Sequence, residues 1–188
     1  SPEKAIVDGV ETVLQNKNLK AEDIKRFAHG TTVGTNALIE RKCGKVALVT
    51  SEGFRDLLEI GRQTRPTVYD MHLDHPKPLV DRELRFEVPQ RRLADGTSYV
   101  KLDEGALEQV ALAIKEQEVD CVVVCFLHSY AFPEDEISAE KILKACLPNK
   151  VRVLTSSSVF PEFREYERFS TAVLNAALIT IVGEYLDR

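Results

Sequence analysis

The chain has 188 residues, 44% of them hydrophobic and 29% charged, with a net charge of -5. That is enough for one sizeable core, and charges of both signs interspersed along it exclude a low-complexity or disordered chain. The acidic balance and the scattered Lys and Arg leave no basic stripe for a phosphate backbone, which argues against nucleic acid as a partner.

Ser1, Pro2 and Glu3 form a helix start, with Ser as cap and Pro at the first helical position; Ile6, Val10, Val13 and Leu14 then follow at helical spacing. The opening lacks the basic start and apolar run of a secretory signal, and its Ser-Pro beginning without Met reads as a piece of something longer. Ile24 to Ala28 (IKRFA) is a strand candidate running into HGTTVGTNALIERKCG, a loop and helix that stop at Gly44. Val46 to Thr50 (VALVT) is a compact apolar strand, and SEGFRDLLEIG after it starts a helix with Phe54, Leu57 and Leu58 inward. Arg62 to Asp81, with three prolines and no sustained period, is a long ordered loop of the sort that carries function. ELRFEVPQRRL and TSYVKL flank Ala94-Asp95-Gly96, a hairpin signal.

Asp103 caps a helix with Leu107, Val110, Ala111 and Ile114 on one face. Asp120 to Leu127 (DCVVVCFL) is the continuous apolar run of a strand covered on both sides. Its Cys121 and Cys125 stand roughly 13 Å apart on one face of that strand, too far to bridge or to share a metal. With four cysteines in all, the chain is no disulfide scaffold, and the usage points to a reducing cytoplasm. Glu134, Asp135 and Glu136 open the next helix at its positive dipole end, with Ala139, Ile142, Leu143 and Cys146 inward. Val151 to Thr155 is the next strand. Glu165 to Leu186 is a long helix whose second half is apolar all round, which calls for packing on several sides. The uncharged stretch Phe169 to Gly183 is shorter than the roughly 18 apolar residues of a membrane span. The alternation gives an α/β fold: a mixed, mainly parallel sheet flanked by helices, with an antiparallel hairpin.

Ligands in such sheets bind beyond the carboxyl ends of the strands. Four segments are expected there: His29 to Thr32, Ser51 to Phe54, His128 to Phe132 and Ser156 to Glu165. HGTTVGTN could build an anion site on backbone N–H groups and hydroxyls, but from the residues alone it fits a turn with a helix cap better; it is not a Walker loop. The charges from Glu162 to Thr171 fit either a solvated first helical turn or a substrate or interdomain role. Asp70, His72, Asp74 and His75 have metal-ligand chemistry at weakly specific spacing, so no metal site is assigned. His128, at a strand end, fits a base less well than a hydrogen-bonded structural histidine.

The string HGTTVGTNALIERKCGKVALVTSEGFRDLLEIGRQTRPTVYD, residues 29 to 70, resembles the N-terminal region of the hydantoinase A and 5-oxoprolinase family, and PEFREYERFSTAVLNAALI, residues 161 to 179, continues the match. The resemblance implies an actin-like, ribonuclease H-like ATPase architecture. It implies an ATP-dependent, cytoplasmic hydrolase that opens a hydantoin or 5-oxoproline-type ring by phosphorylating its carbonyl oxygen, using ATP and Mg²⁺. It further implies a hydantoinase B-like partner subunit or fused domain. The same motifs admit an ATP-dependent acetone or acetophenone carboxylase subunit, and the apolar last helix admits a noncatalytic scaffold that docks a partner. Carried over residue by residue, His29, Gly30, Thr31, Thr32, Thr35 and Asn36 match the first motif, and Arg62 and Arg65 the second. Glu162, Arg164, Glu165, Tyr166, Glu167, Arg168, Ser170, Thr171 and Asn175 match the last. The resemblance places Thr31, Thr32 and Asn36 on the cleft and puts Arg62 or Arg168 on a substrate or phosphate oxygen. The family's Gly-rich, Asp-containing phosphate hairpin and its second Gly-rich segment do not occur in residues 1 to 188. The chain is therefore expected to be a region of a larger enzyme, without a complete catalytic site and with no nucleotide bound to it alone.

Overall fold

The computed structural model describes residues 2–186 other than Pro66, Met71 and Asp74. Ser1 as a helix cap and Asp74 as a metal ligand lie outside the described residues. The sheet has four strands, all parallel, in the order β2 (Arg85–Val88), β1 (Val46–Ser51), β5 (Cys121–Cys125) and β6 (Arg152–Thr155). Every residue of β1 and β5 is buried, as their unbroken apolar runs require of strands covered on both faces. Two helices, α4 (Glu104–Lys115) and α5 (Glu134–Cys146), pack together over the sheet. The long α7 (Glu165–Leu186) packs on β1, β5 and β6, and carries α2 (Val33–Ile39), α3 (Leu57–Ile60) and α6 (Ser156–Val159) against it. Cys121 and Cys125 are free thiols inside the sheet, and burial pushes the Cys121 thiol up to about 12.

The α4 reading holds in detail: Asp103 accepts from Ala106 N at 2.9 Å, and Leu107, Ala111 and Ile114 are fully buried. Elsewhere tertiary context changes the outline. Ile24 to Ala28 is not a strand; its residues are exposed and pair with no strand of the sheet. The first expected ribbon strand is cut in two at Pro89, which has no N–H to donate. Arg85–Val88 pairs parallel with β1, leaving only β3 (Arg91–Arg92) and β4 (Ser98–Val100) as the hairpin. Gly96 turns it at φ +86, and a Cβ there would stand 2.7 Å from the Phe132 ring. The helix expected from SEGFRDLLEIG shrinks to the single turn α3 between Gly53 (φ +85) and Gly61 (φ +55). The helix before Gly44 stops at Ile39, with Arg41 at φ 52. Ile142 and Cys146 of α5 are only partly buried. The first helix, α1 (Pro2–Lys17), forms as read and leaves Val7 and Val13 exposed.

The length argument against a membrane span needs correction: α7, at 22 residues, is long and apolar enough to cross a membrane by length and composition. Its first half is a core helix, with Phe169, Ala172, Val173, Ala176 and Ala177 buried against the sheet.

Candidate functional site

The helix α7 begins beside the carboxyl ends of β5 and β6 and descends the sheet, so that Ala177 O already accepts from Gly44 N just before β1. This direction sorts the candidate residues into two groups. His29 Nε2 and the Tyr185 hydroxyl share a hydrogen bond of 2.7 Å at the far end of α7, and α2 lies there too, Gly34 facing Leu178 and Val182. Arg62 reaches Glu167 at the near end. Eighteen residues of helix separate these contacts, about 27 Å at 1.5 Å per residue. His29 to Thr32 therefore sits at the amino ends of the strands, not at the carboxyl ends as the sheet rule suggested. Ile24 to Ala28, the strand expected to lead into it, pairs with no strand among the described residues.

Within that first group Thr31, Thr32, Thr35 and Asn36 are exposed. Thr31 Oγ1 accepts from Val33 N at 3.3 Å, and Asn36 Nδ2 donates to Thr32 Oγ1 at 3.4 Å, so the hydroxyls close a local turn.

The second group frames a cleft of about 870 Å³ between α3, the long loop and the first turn of α7. Leu58, Gly61, Arg62, Thr64, His75 and Tyr166 line it. Gly61 is needed for its backbone, whose φ of +55 with ψ of -134 suits glycine alone; a Cβ there would make only ordinary contact with the Tyr166 ring at 3.6 Å. Arg62 Nε donates to Glu167 Oε1 at 2.6 Å. The Arg62 side chain is still 62% exposed and keeps N–H donors free to turn toward an anionic oxygen. The Glu167 carboxyl is held below the usual glutamate range by its own backbone N–H in the first helical turn and then by Arg62. His75 Nε2 meets Thr64 O at 2.5 Å, which closes the loop over the cleft. Arg65 is exposed on that loop, and Arg164, at φ 76, lays its guanidinium over the Phe163 ring, 5.2 Å from its centroid.

Arg168 does not face the cleft. It is fully buried, with Glu136, also fully buried, 3.5 Å away as its counter-ion. Its guanidinium donates to Ser129 Oγ, to Ser156 Oγ at 2.5 Å, to Phe126 O at 2.8 Å and to Glu165 Oε2. Glu136 in turn accepts from Phe126 N, Ser129 Oγ, Ser156 Oγ and Ser157 N between 2.6 and 2.9 Å. The sequence reading of Glu136 as one of three acids at the positive end of a helix dipole did not show this, because a charged triplet at a helix start does not reveal which member turns inward. Ser170, two positions along, is half-buried. His128 is a turn residue at φ 58 whose backbone N–H donates to Glu165 Oε1 at 2.8 Å. His72 N donates to Asp70 Oδ1, and among the described residues no group of three His, Cys, Asp or Glu could hold a metal ion.

The sequence profile of the hydantoinase/oxoprolinase N-terminal region matches residues 1–147. The chain belongs to the hydantoinase/oxoprolinase family. Caprolactamase subunit alpha of Pseudomonas jessenii is 38% identical over 85% of the chain, and 5-oxoprolinase 1 of Arabidopsis thaliana is 29% identical over 97%. The crystal structure of the ATP-dependent caprolactamase from Pseudomonas jessenii superposes with a TM-score of 0.87 over 98% of the chain at 34% identity. A nucleotide-free acetone carboxylase structure follows at a TM-score of 0.72 over 79% and 26% identity. Both matches agree with the mainly parallel α/β sheet and hairpin, and with an actin-like ATPase type of fold. The chain spans between 16% and 27% of the length of these relatives.

The residues of this family member do not by themselves fit ATP with Mg²⁺. The hydroxyl-bearing turn at 29–36 and the arginine cleft lie at opposite ends of α7, too far apart to hold one nucleotide and its metal together.

Proposed function

We propose that this chain forms the substrate-binding part of an ATP-dependent hydrolase of cyclic amides, with the ring received in the cleft between Arg62 and Tyr166. The observation that carries this is the likeness to the ATP-dependent caprolactamase over nearly the whole chain, supported by the relative called 5-oxoprolinase. The cleft suits such a ring: Tyr166 and Leu58 offer apolar walls, and Arg62 offers a donor fork for a polarised oxygen. An unstrained amide resists hydrolysis, and phosphorylation of its oxygen is the activation that ATP would supply within the larger enzyme. ATP, Mg²⁺ and the groups that move the phosphoryl group belong, in this reading, to the rest of that enzyme. The designation "subunit alpha" of one relative supports a partner subunit, or a fused domain, of the hydantoinase B kind.

The test is ADP release by an enzyme of the relatives' length that carries this region. Caprolactam, hydantoin or 5-oxoproline should stimulate it, and Arg62→Gln should raise KM for the stimulating amide by about tenfold or more. Stimulation only by acetone with bicarbonate would replace the amide reading with a ketone carboxylase, for which the acetone carboxylase likeness speaks.

A further inference from the structure

Three consecutive residues at the start of α7 point three ways. Glu165 reaches back to the turn after β5, Tyr166 enters the cleft and Glu167 holds Arg62. The first turn of any helix lacks half of its backbone bonds and frays unless something holds it. Here the tie to the core is the side chain of Glu165, which accepts from His128 N and from the buried Arg168 guanidinium one helical turn on. The same guanidinium fork also holds Phe126 O, Ser129 and Ser156. One planar group thus joins the turn after β5, the start of α6 and the start of α7, with Glu136 on α5 supplying the counter-charge.

We propose that Arg168, through Glu165, is a positioning residue for the cleft: the buried Glu136–Arg168–Glu165 chain sets where Tyr166 and Glu167 stand. Stability alone gives a weak motive for such a chain, since a buried ion pair replaced by apolar groups of similar volume is often no less stable. What an apolar substitute could not supply is direction. A lysine would keep the charge and lose the fork that addresses several oxygens in one plane. The functional meaning rests on the cleft being the substrate site, while the positioning itself does not.

Two measurements separate these. The chain contains five tyrosines, and labelling with 3-fluorotyrosine gives each a ¹⁹F resonance, with that of Tyr166 assigned through Tyr166→Phe. In Glu165→Gln and Arg168→Lys the Tyr166 line should shift or broaden, while those of Tyr69, Tyr99 and Tyr185 hold. A folded variant with an unmoved Tyr166 line overturns the positioning. Should Arg168→Lys fail to fold, Glu165→Gln decides, because the Glu165 side chain is 21% exposed and leaves the Glu136–Arg168 pair intact. In an enzyme of the relatives' length, Glu165→Gln should raise KM for the amide about tenfold, with kcat changed by less than about threefold. An unchanged KM in Glu165→Gln beside a raised KM in Arg62→Gln overturns the link to catalysis. An unchanged KM in Arg62→Gln overturns the cleft reading and leaves the ¹⁹F result standing.

Discussion

The two ends of α7 are built on opposite principles. At the amino end the first four side chains each have an assignment: Glu165 and Arg168 are tied to the core, Glu167 to Arg62, and Tyr166 fills the cleft wall beside Gly61. At the carboxyl end the helix carries Leu178, Ile179, Ile181 and Val182 half-buried, with α2 alongside and Leu186 73% exposed. The lesson is that burial of charge, more than burial of apolar surface, marks where this fold fixes geometry. An apolar contact tolerates sliding, whereas a fork of N–H donors does not.

The contrast can be broken most severely at Arg168. Arg168→Ala leaves Glu136 buried without its counter-ion and should cost about 3–5 kcal/mol in urea denaturation. A loss below about 1 kcal/mol would show that the amino end is not held by charge. Next comes Gly61→Ala, which forces a side chain onto a backbone conformation that suits glycine and should cost roughly 1–3 kcal/mol by the same measurement.

The Arg62–Glu167 pair is half in solvent, so a double-mutant cycle should return no more than about 1 kcal/mol, decreasing with salt. Because the folded-state pKa of Glu167 is lowered, its contribution is present above the ordinary glutamate range. It is lost as pH falls through the lowered value. Coupling that persisted in acid would point to packing of the arginine stem. Smallest of all, Leu186→Ala should change stability by no more than about 0.5 kcal/mol, since its side chain is already mostly in water. A loss matching that at Arg168 would erase the difference between the ends.

Much of the fold is legible in residue patterns. VALVT and DCVVVCFL announce buried parallel strands because no polar alternation interrupts them, and Asp103 with Leu107, Ala111 and Ile114 announces α4 because cap and period agree. The site is less legible. Arg62, Glu167 and Tyr166 were candidates, and the structure brings them together; His75, Thr64 and Gly61 join them from a loop with no period to read. Arg168 was a candidate for the wrong environment. Nothing local in EYERFST tells a buried arginine from a solvated one, and its counter-ion stands 32 positions earlier in what reads as an ordinary acidic helix start.

The sequence by itself determined the buried strands VALVT and DCVVVCFL, the helices α4, α5 and α7 and the family motifs, because these depend on period, caps and short strings that each residue carries locally. Only the tertiary structure decided that RFEV joins the parallel sheet before Pro89, that the HGTT turn lies about 27 Å along α7 from the Arg62 contact, and that Glu136 and Arg168 meet inside. Those outcomes depend on which distant segments compete for one sheet edge or one buried charge, a choice made by packing between elements.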